Sequence, residues 1–300
     1  MKKFLISFLF ISVFLFGQTS FEPIESPIYN FLERSAQQGL INVDDIIKPY
    51  PRSTILQKLN ELQENADKLT YHERSELTFY LRAFYLEKKD TLHIKSDNPI
   101  YNKNNNLSEE FENKLNNFNG FIKDPLDRYR LFTYKDDLFK FAVDPIIGIS
   151  FGSRDSESHT WYRCGISLYG YIGKNFGFNF MFYDNTEKGN KIDRTKSFSN
   201  ERGIVPSRQK PDKIEYSEIR TNLTYSWDWG SVAIGKDFLN WGYGKSGQLV
   251  LSDKAPSFPY IRLDIQPADW ISFNYMHAWL KSDVLDSNST YPTYWADQKR

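Results

Sequence analysis

Gly148-Ile149-Ser150-Phe151-Gly152 fits the G-x-S-x-G pattern of serine hydrolases. That chemistry needs a strand, a sharp turn and then a helix, so that the serine hydroxyl stands clear of the sheet. Here the flanking residues alternate apolar and polar as one continuous strand, and no helical period follows, which makes Ser150 a poor nucleophile. His72, His93, His159 and His277 are scattered, without the paired spacing of a metal site. Cys164 is the lone cysteine, so an intrachain disulfide and a cysteine-rich metal site are excluded. It falls on the apolar side of its strand, where an inert packing role is expected. Gly242-Tyr243-Gly244 lacks the following helix that a phosphate-binding loop requires. Carboxylates are many, but no pair stands out as the acid and base of a glycosidase. No reaction, cofactor or metal is legible.

Binding is the chemistry that remains. Sugars present apolar C–H faces and many hydroxyls, which suit aromatic platforms beside amide, guanidinium and carboxylate groups. The tract Asn240-Trp241-Gly242-Tyr243-Gly244-Lys245 has this make-up. Arg262 and Asp264 are expected to face the same interior. Asn240, Trp241, Tyr243, Lys245, Arg262 and Asp264 are therefore the candidate carbohydrate-binding set. The competing reading places Trp241 and Tyr243 in an aromatic girdle, with the glycines permitting a tight bend.

The composition bounds the partners. Thirty-eight basic and 38 acidic residues cancel, so no basic footprint points to nucleic acid. Aromatic residues reach 17% of the 300, mostly Phe and Tyr. Lys2-Lys3, the apolar run Phe4 to Phe16 and the small or polar residues at Gly17 to Ser20 read as a secretory signal, residues 1–20. Nothing later approaches 18 consecutive apolar residues, and mean hydropathy is −0.57, so no spanning helix is expected.

Residues 21–92 read as a helical module. Ser26-Pro27 starts a helix carrying Ile28, Phe31, Leu32 and Ala36, and Gly39 stops it. Ser53 is expected to cap a second helix with Ile55, Leu56, Leu59 and Leu62. Thr70 and Glu73 form a capping box for a third, with Leu77, Leu81 and Phe84. Residues 93–124 are rich in Asn, Lys, Asp and Ser and read as a linker with one short helical turn near Glu109 to Leu115.

From residue 125 to 300 the period changes from helical to two. Phe141, Val143, Ile147 and Ile149 share one face; Tyr162, Cys164, Ile166 and Leu168 share another. Phe176, Phe178, Phe180 and Phe182 alternate with Gly177, Asn179, Met181 and Tyr183. Ile219, Thr221, Leu223 and Tyr225 alternate with Glu218, Arg220, Asn222 and Thr224. Alternation of this kind suits a soluble antiparallel sheet and a barrel wall with lipid outside and water inside. Short links such as Gly173-Lys174-Asn175 alternate with long ones such as Asn185 to Lys213, the layout of outer-membrane barrels. With the export signal, the expectation is a mainly β chain: an antiparallel outer-membrane β-barrel behind a small α-helical module.

Gly235-Lys236-Asp237-Phe238, Trp241-Gly242-Tyr243-Gly244, Leu249-Val250-Leu251-Ser252, Ala255-Pro256-Ser257-Phe258-Pro259 and Tyr275-Met276-His277 together resemble the signature of the capsule-assembly Wzi family. Tyr29-Asn30-Phe31-Leu32, Gly39-Leu40-Ile41 and Pro49-Tyr50-Pro51-Arg52 resemble that family's helical segment, and S-layer-homology-like modules too. The resemblance implies a non-catalytic outer-membrane protein of Gram-negative bacteria that holds capsular polysaccharide or exopolysaccharide at the cell surface. Its further partners would be outer-membrane lipid and the outer-membrane insertion machinery. The eight or nine strands before Gln298-Lys299-Arg300 are fewer than the family's barrels contain, so a truncated wall is expected. Two alternatives stay open: a porin-like diffusion channel for small solutes, and an outer-membrane hydrolase using Ser150.

Overall fold

A computed structural model of the chain describes residues 19–280, apart from 44–46, 88–117, 125, 127, 155–156, 190–191, 193–207, 210–211, 243, 245–246, 249, 253–255 and 269. Residues 1–18 of the signal segment read over 1–20, and the helical turn expected near 109–115, lie outside the described residues, while the last two residues of that segment, Thr19 and Ser20, are described and buried.

Three helices form where the apolar spacing placed them: α1 (Ile28–Gln37), α2 (Arg52–Glu64) and α3 (Tyr71–Ala83). Their stripes meet in one core that buries Phe31, Leu32, Ile55, Leu59, Leu62, Leu77 and Phe84. Gly39 ends α1 at φ +73°, a conformation glycine adopts at little steric cost. The expected starts of the first two helices shift. Pro27 and Pro51 occupy the cap positions without a side-chain cap, and Ser53 lies inside α2, its hydroxyl 3.0 Å from that of Thr19. Proline presets the backbone at each entry, so a serine cap is not required.

The capping box on α3 is complete. The Glu73 carboxylate accepts from Gln38 Nε2 at 2.9 Å, Thr70 Oγ1 at 2.7 Å and Thr70 N at 2.8 Å. These bonds, that of Gln38 first, hold its pKa down at about 2 against the ordinary 4.5. A depressed carboxylate stabilises the fold above its ordinary pKa, and that support fades as pH falls toward 2. Between pH 4.5 and 2 wild-type α3 should lose stability faster than Glu73→Gln. Helix melts followed by circular dichroism check this; parallel pH curves would refute it.

Among the described residues, twelve strands follow or interleave: β1 (Ile47–Lys48), β2 (Phe118–Lys123), β3 (Tyr129–Lys135), β4 (Phe139–Arg154), β5 (Glu157–Ile172), β6 (Phe176–Gly189), β7 (Arg208–Gln209), β8 (Lys213–Trp227), β9 (Gly230–Asp237), β10 (Asn240–Trp241), β11 (Phe258–Ala268) and β12 (Ile271–Ala278). An antiparallel sheet runs β2-β3-β4-β5-β6-β8-β9-β11-β12, with β7 paired beside β8; β1 and β10 form a separate pair. The chain is mainly β. β2 lies in the stretch read above as linker. The link between β4 and β5 is only two residues, although it sits at the end that carries the long loops.

The two faces of this sheet are inverted relative to a water-soluble protein. Along β8, Glu218, Arg220, Asn222, Thr224 and Ser226 are buried, while Ile219, Leu223 and Tyr225 are exposed. The same holds for Ile147 (80% exposed), Ile149 and Phe151 on β4, Phe180 on β6, Ile234 on β9, and Phe273 and Tyr275 on β12. Arg220 and Arg262, by contrast, are each 2% exposed. A soluble sheet packs its apolar face and wets its polar one. Cys164, expected to pack inertly, stands exposed on the apolar side because that side is the outer one.

What covers the polar face is the helical module and the segment leading into it. Phe21 bridges to Pro51, its carbonyl accepts from Asn179 Nδ2 at 3.1 Å, and Arg52 N donates to Ser20 O at 2.8 Å. On β6, Gly177 leaves room for this segment, since a Cβ there would sit 2.0 Å from the Thr19 carbonyl oxygen. Gly177→Val should therefore lift residues 19–21 off the wall at a cost of about 1–3 kcal/mol. Faster hydrogen exchange at Glu22 and Arg52, whose amides donate to Tyr50 O and Ser20 O, with the sheet unchanged, is the expected result.

Candidate functional site

The buried polar face is built by register. Asp144 on β4, Ser167 on β5, Met181 on β6 and Arg220 on β8 are successive cross-strand partners, and Asp237 of β9 stands beside Arg220. One residue pair further along each strand come Ala142, Tyr169, Asn179 and Asn222. Strand alternation thus delivers two rows of mostly polar side chains, interrupted by Met181 and Ala142, to one surface.

Four arginines are buried at this surface, each held by carboxylates or carbonyls. Arg220 donates through Nε to Asp237 Oδ1 and through Nη1 to Glu25 Oε1, both at 2.5 Å. Arg130 donates to Asp124 Oδ2 at 3.0 Å and Asp144 Oδ2 at 2.7 Å. Arg262 donates to Asp264 Oδ1 at 3.0 Å and to the Pro49 carbonyl at 2.8 Å, and lies over the Phe21 ring. Arg52, at the start of α2, pairs with Glu22 and with Glu87, donates to the Ala83 carbonyl, and lies between the rings of Phe84 and Tyr169, 4.1 Å from each. Burial alone would lower the Arg52 pKa; Glu87 and Glu22 overcome that and raise it well above its ordinary value. Glu87 also accepts from Tyr171 of the wall at 2.7 Å. Charged groups therefore join the helical module and its leading segment to the sheet at Arg220–Glu25, Arg262–Pro49 and Tyr171–Glu87.

Among the described residues, cavities of about 240 Å³ each lie at two places between module and wall. Phe21, Phe79, Phe84, Arg52, Arg130 and Tyr169 line the first, together with Arg128, Asp144, Arg220 and Asp237. Within its lining, Arg130 Nη2, Arg220 Nη2 and the Tyr169 hydroxyl are buried without a hydrogen-bond partner. Arg262, Asp264, Asn274, Tyr50, Lys58 and Trp229 are among the residues lining the second. Asp264 there also accepts from Asn274 at 2.6 Å.

The six residues expected to bind carbohydrate are divided by the fold. Arg262 and Asp264 face the buried side and line the second cavity. Asn240 and Trp241 form β10 and pair with Lys48 and Ile47 of the helical module, while Trp241 N donates to Leu251 O at 2.8 Å. Tyr243 and Lys245 lie outside the described residues. Ser150 sits inside β4 opposite Trp161, in an unbroken strand without the turn and helix of a hydrolase elbow. Among the described residues no group of three or more His, Cys, Asp or Glu could hold a metal ion, and no helix is long and apolar enough to cross a membrane.

Arg52, Arg130 and Tyr169 were not singled out from sequence, although the polar half of each alternating run contained the signal for Tyr169. Which polar residues meet a cavity depends on how the helices dock, and periodicity does not encode that. No family model, curated protein or solved structure matches this chain.

Proposed function

We propose that the sheet is the wall of an outer-membrane β-barrel and that the protein retains capsular polysaccharide or exopolysaccharide at the cell surface without catalysis. The observation that carries the membrane part is the inverted sheet, with charge buried and Phe, Ile, Leu and Tyr turned outward. In hydrocarbon an apolar exterior costs nothing, and the interior satisfies its polar groups within the protein.

The outward apolar belt also runs oblique to the hydrogen-bonding rows. Its upper limit is Tyr162 on β5, Phe182 on β6, Ile219 on β8 and Ile234 on β9, with Asp184, Ser217 and Lys236 next above. Phe182 is opposite Ile166, four residues below Tyr162, and Ile234 is opposite Leu223, four below Ile219. Strands tilted roughly 35–45° in a flat membrane need such a stepped boundary. A soluble sheet has no reason for one.

Polysaccharide retention rests on the family resemblance and on the arginine- and aromatic-lined cavities beneath the helices. The helical module packed on the polar face favours retention over a diffusion channel, since it occupies the space an open pore would need. A strain lacking the protein should shed capsule into the medium while still making it. Unchanged cell-bound capsule would overturn the retention reading, and large ion conductance in planar bilayers would favour the channel.

A further inference from the structure

Arg52, Arg130, Arg220 and Arg262 all meet carboxylates. Arg163 does not. It projects from β5 onto the same inner face, two inward positions beyond Ser167 toward the end that carries the long loops. Among the described residues no carboxylate pairs with it, and only its Nε is engaged, donating to Asn185 Oδ1 at 2.9 Å directly across the strand pair. Nη1 and Nη2 make no hydrogen bond, and both keep accessible surface.

The fork is nonetheless fixed in place. Its centre lies over two rings, 4.9 Å from that of Trp161 and 4.4 Å from that of Tyr183. Trp161 is itself pinned, since its Nε1 donates to the Tyr216 hydroxyl at 3.3 Å and that hydroxyl donates to Glu187 Oε1 at 3.1 Å. Gly148, opposite Arg163, makes room for the indole, because a Cβ there would sit 3.2 Å from Trp161 Cζ3. The nearby carboxylates are occupied elsewhere. Glu187 Oε2 lies 3.7 Å from His159 Nε2, and Glu218 is held by Lys236 and Ser257. Stacking and the Asn185 bond have already removed the rotamer freedom of Arg163, so an incoming anion costs little further ordering. A guanidinium with its Nη1–Nη2 edge open matches the two oxygens of a carboxylate.

We propose that Arg163 binds the carboxylate of an acidic sugar unit, Nη1 and Nη2 each donating to one oxygen, with the partly exposed Trp161 ring beside the pyranose. This rests on the polysaccharide-retention reading, under which the loop-bearing end faces the outside of the cell. It names the group by which the polymer is held.

The test is calorimetric titration of the full chain in detergent with tetragalacturonate, its methyl ester and inorganic sulfate. The ester keeps the sugars and removes the charge, whereas sulfate keeps charge and removes the sugar. Tetragalacturonate should bind at least about tenfold more tightly than either, the effect of a charge-assisted pair of hydrogen bonds. Arg163→Lys keeps the charge without the fork and should weaken binding about tenfold, and Arg163→Gln should abolish it. Both variants should keep wild-type heat-modifiable mobility, because Arg163 has no ion pair to lose. The ester and sulfate comparisons need no variant at all. Equal affinity for the ester would overturn the carboxylate, and equal affinity for sulfate would overturn the sugar. No binding of tetragalacturonate, or binding unchanged in Arg163→Gln, would overturn the site. A deletion strain that sheds capsule while the purified protein ignores tetragalacturonate sinks the site alone. Arg163-dependent binding in the absence of shedding sinks the retention reading and leaves the site standing.

Discussion

Replacing Arg52 by methionine should destabilise the docking of the helical module by about 3–5 kcal/mol, the cost of stranding a buried charge. Arg52 is the point where two parts of the chain share charge. Glu87, whose side chain is fully buried, and Glu22 lose their cation together, and Tyr171 is left donating to an uncompensated carboxylate. Methionine is close enough in volume to keep contact with Phe84 and Tyr169, so the loss is electrostatic more than steric. Limited proteolysis in detergent should cut the module while sparing the strands. Adding Glu87→Gln and Glu22→Gln to Arg52→Met should restore most of the resistance, because neutral amides need no counter-charge. If the triple variant is as labile as the single one, Arg52 acts through packing and the electrostatic account fails.

Leu223→Arg should block stable assembly in membranes, at about 2–4 kcal/mol for an arginine on the lipid face near the midplane. Leu223 lies on β8 between Ile219 and Tyr225 and is 47% exposed. In an aqueous protein, an exposed leucine distant from any special feature tolerates arginine within about 0.5 kcal/mol. The two solvents therefore predict different outcomes for one substitution. Asn222→Leu, one residue away but facing in, should instead fail by removing partners of Tyr260 and Asp237. The heat-modifiable mobility of the folded protein on gels, scored after expression, reads both variants.

Alternation along Phe176 to Tyr183 and Glu218 to Tyr225 was legible because a strand turns each neighbour to the opposite side. The period of two alone reads the same from either face, so the inward turn of the polar side followed only from the barrel reading. The structure settles it by placing helices and the segment Thr19–Phe21 on the polar side. β2 was missed because its run, Phe118 to Lys123, is irregular. A register shift falls between Phe121 and Ile122, and Ile122 has φ +73°, which a branched side chain rarely adopts. Arg262 and Asp264 were visible as interior charges on one strand, and they do lie together. The carbonyl that Arg262 binds belongs to Pro49, 213 residues earlier, and nothing local to either residue marks that contact. Asn240 and Trp241 looked like a sugar platform by composition, yet their backbones pair with Lys48 and Ile47. Strand pairing depends on backbone position and leaves little trace in side-chain type.

The lone cysteine gives the most direct test of the proposed membrane wall. Cys164 lies on the outward face of β5 between Tyr162 and Ile166, inside the apolar belt, and it is exposed. In protein reconstituted into liposomes, Cys164 should resist a charged maleimide on either side of the bilayer and react once the protein is unfolded in urea and detergent. A fluorophore placed there in detergent before reconstitution should be quenched by lipids carrying a nitroxide on the acyl chain. Rapid reaction of Cys164 with the charged reagent in intact liposomes, with no quenching by the acyl-chain nitroxide, would mean that water covers the face assigned to lipid.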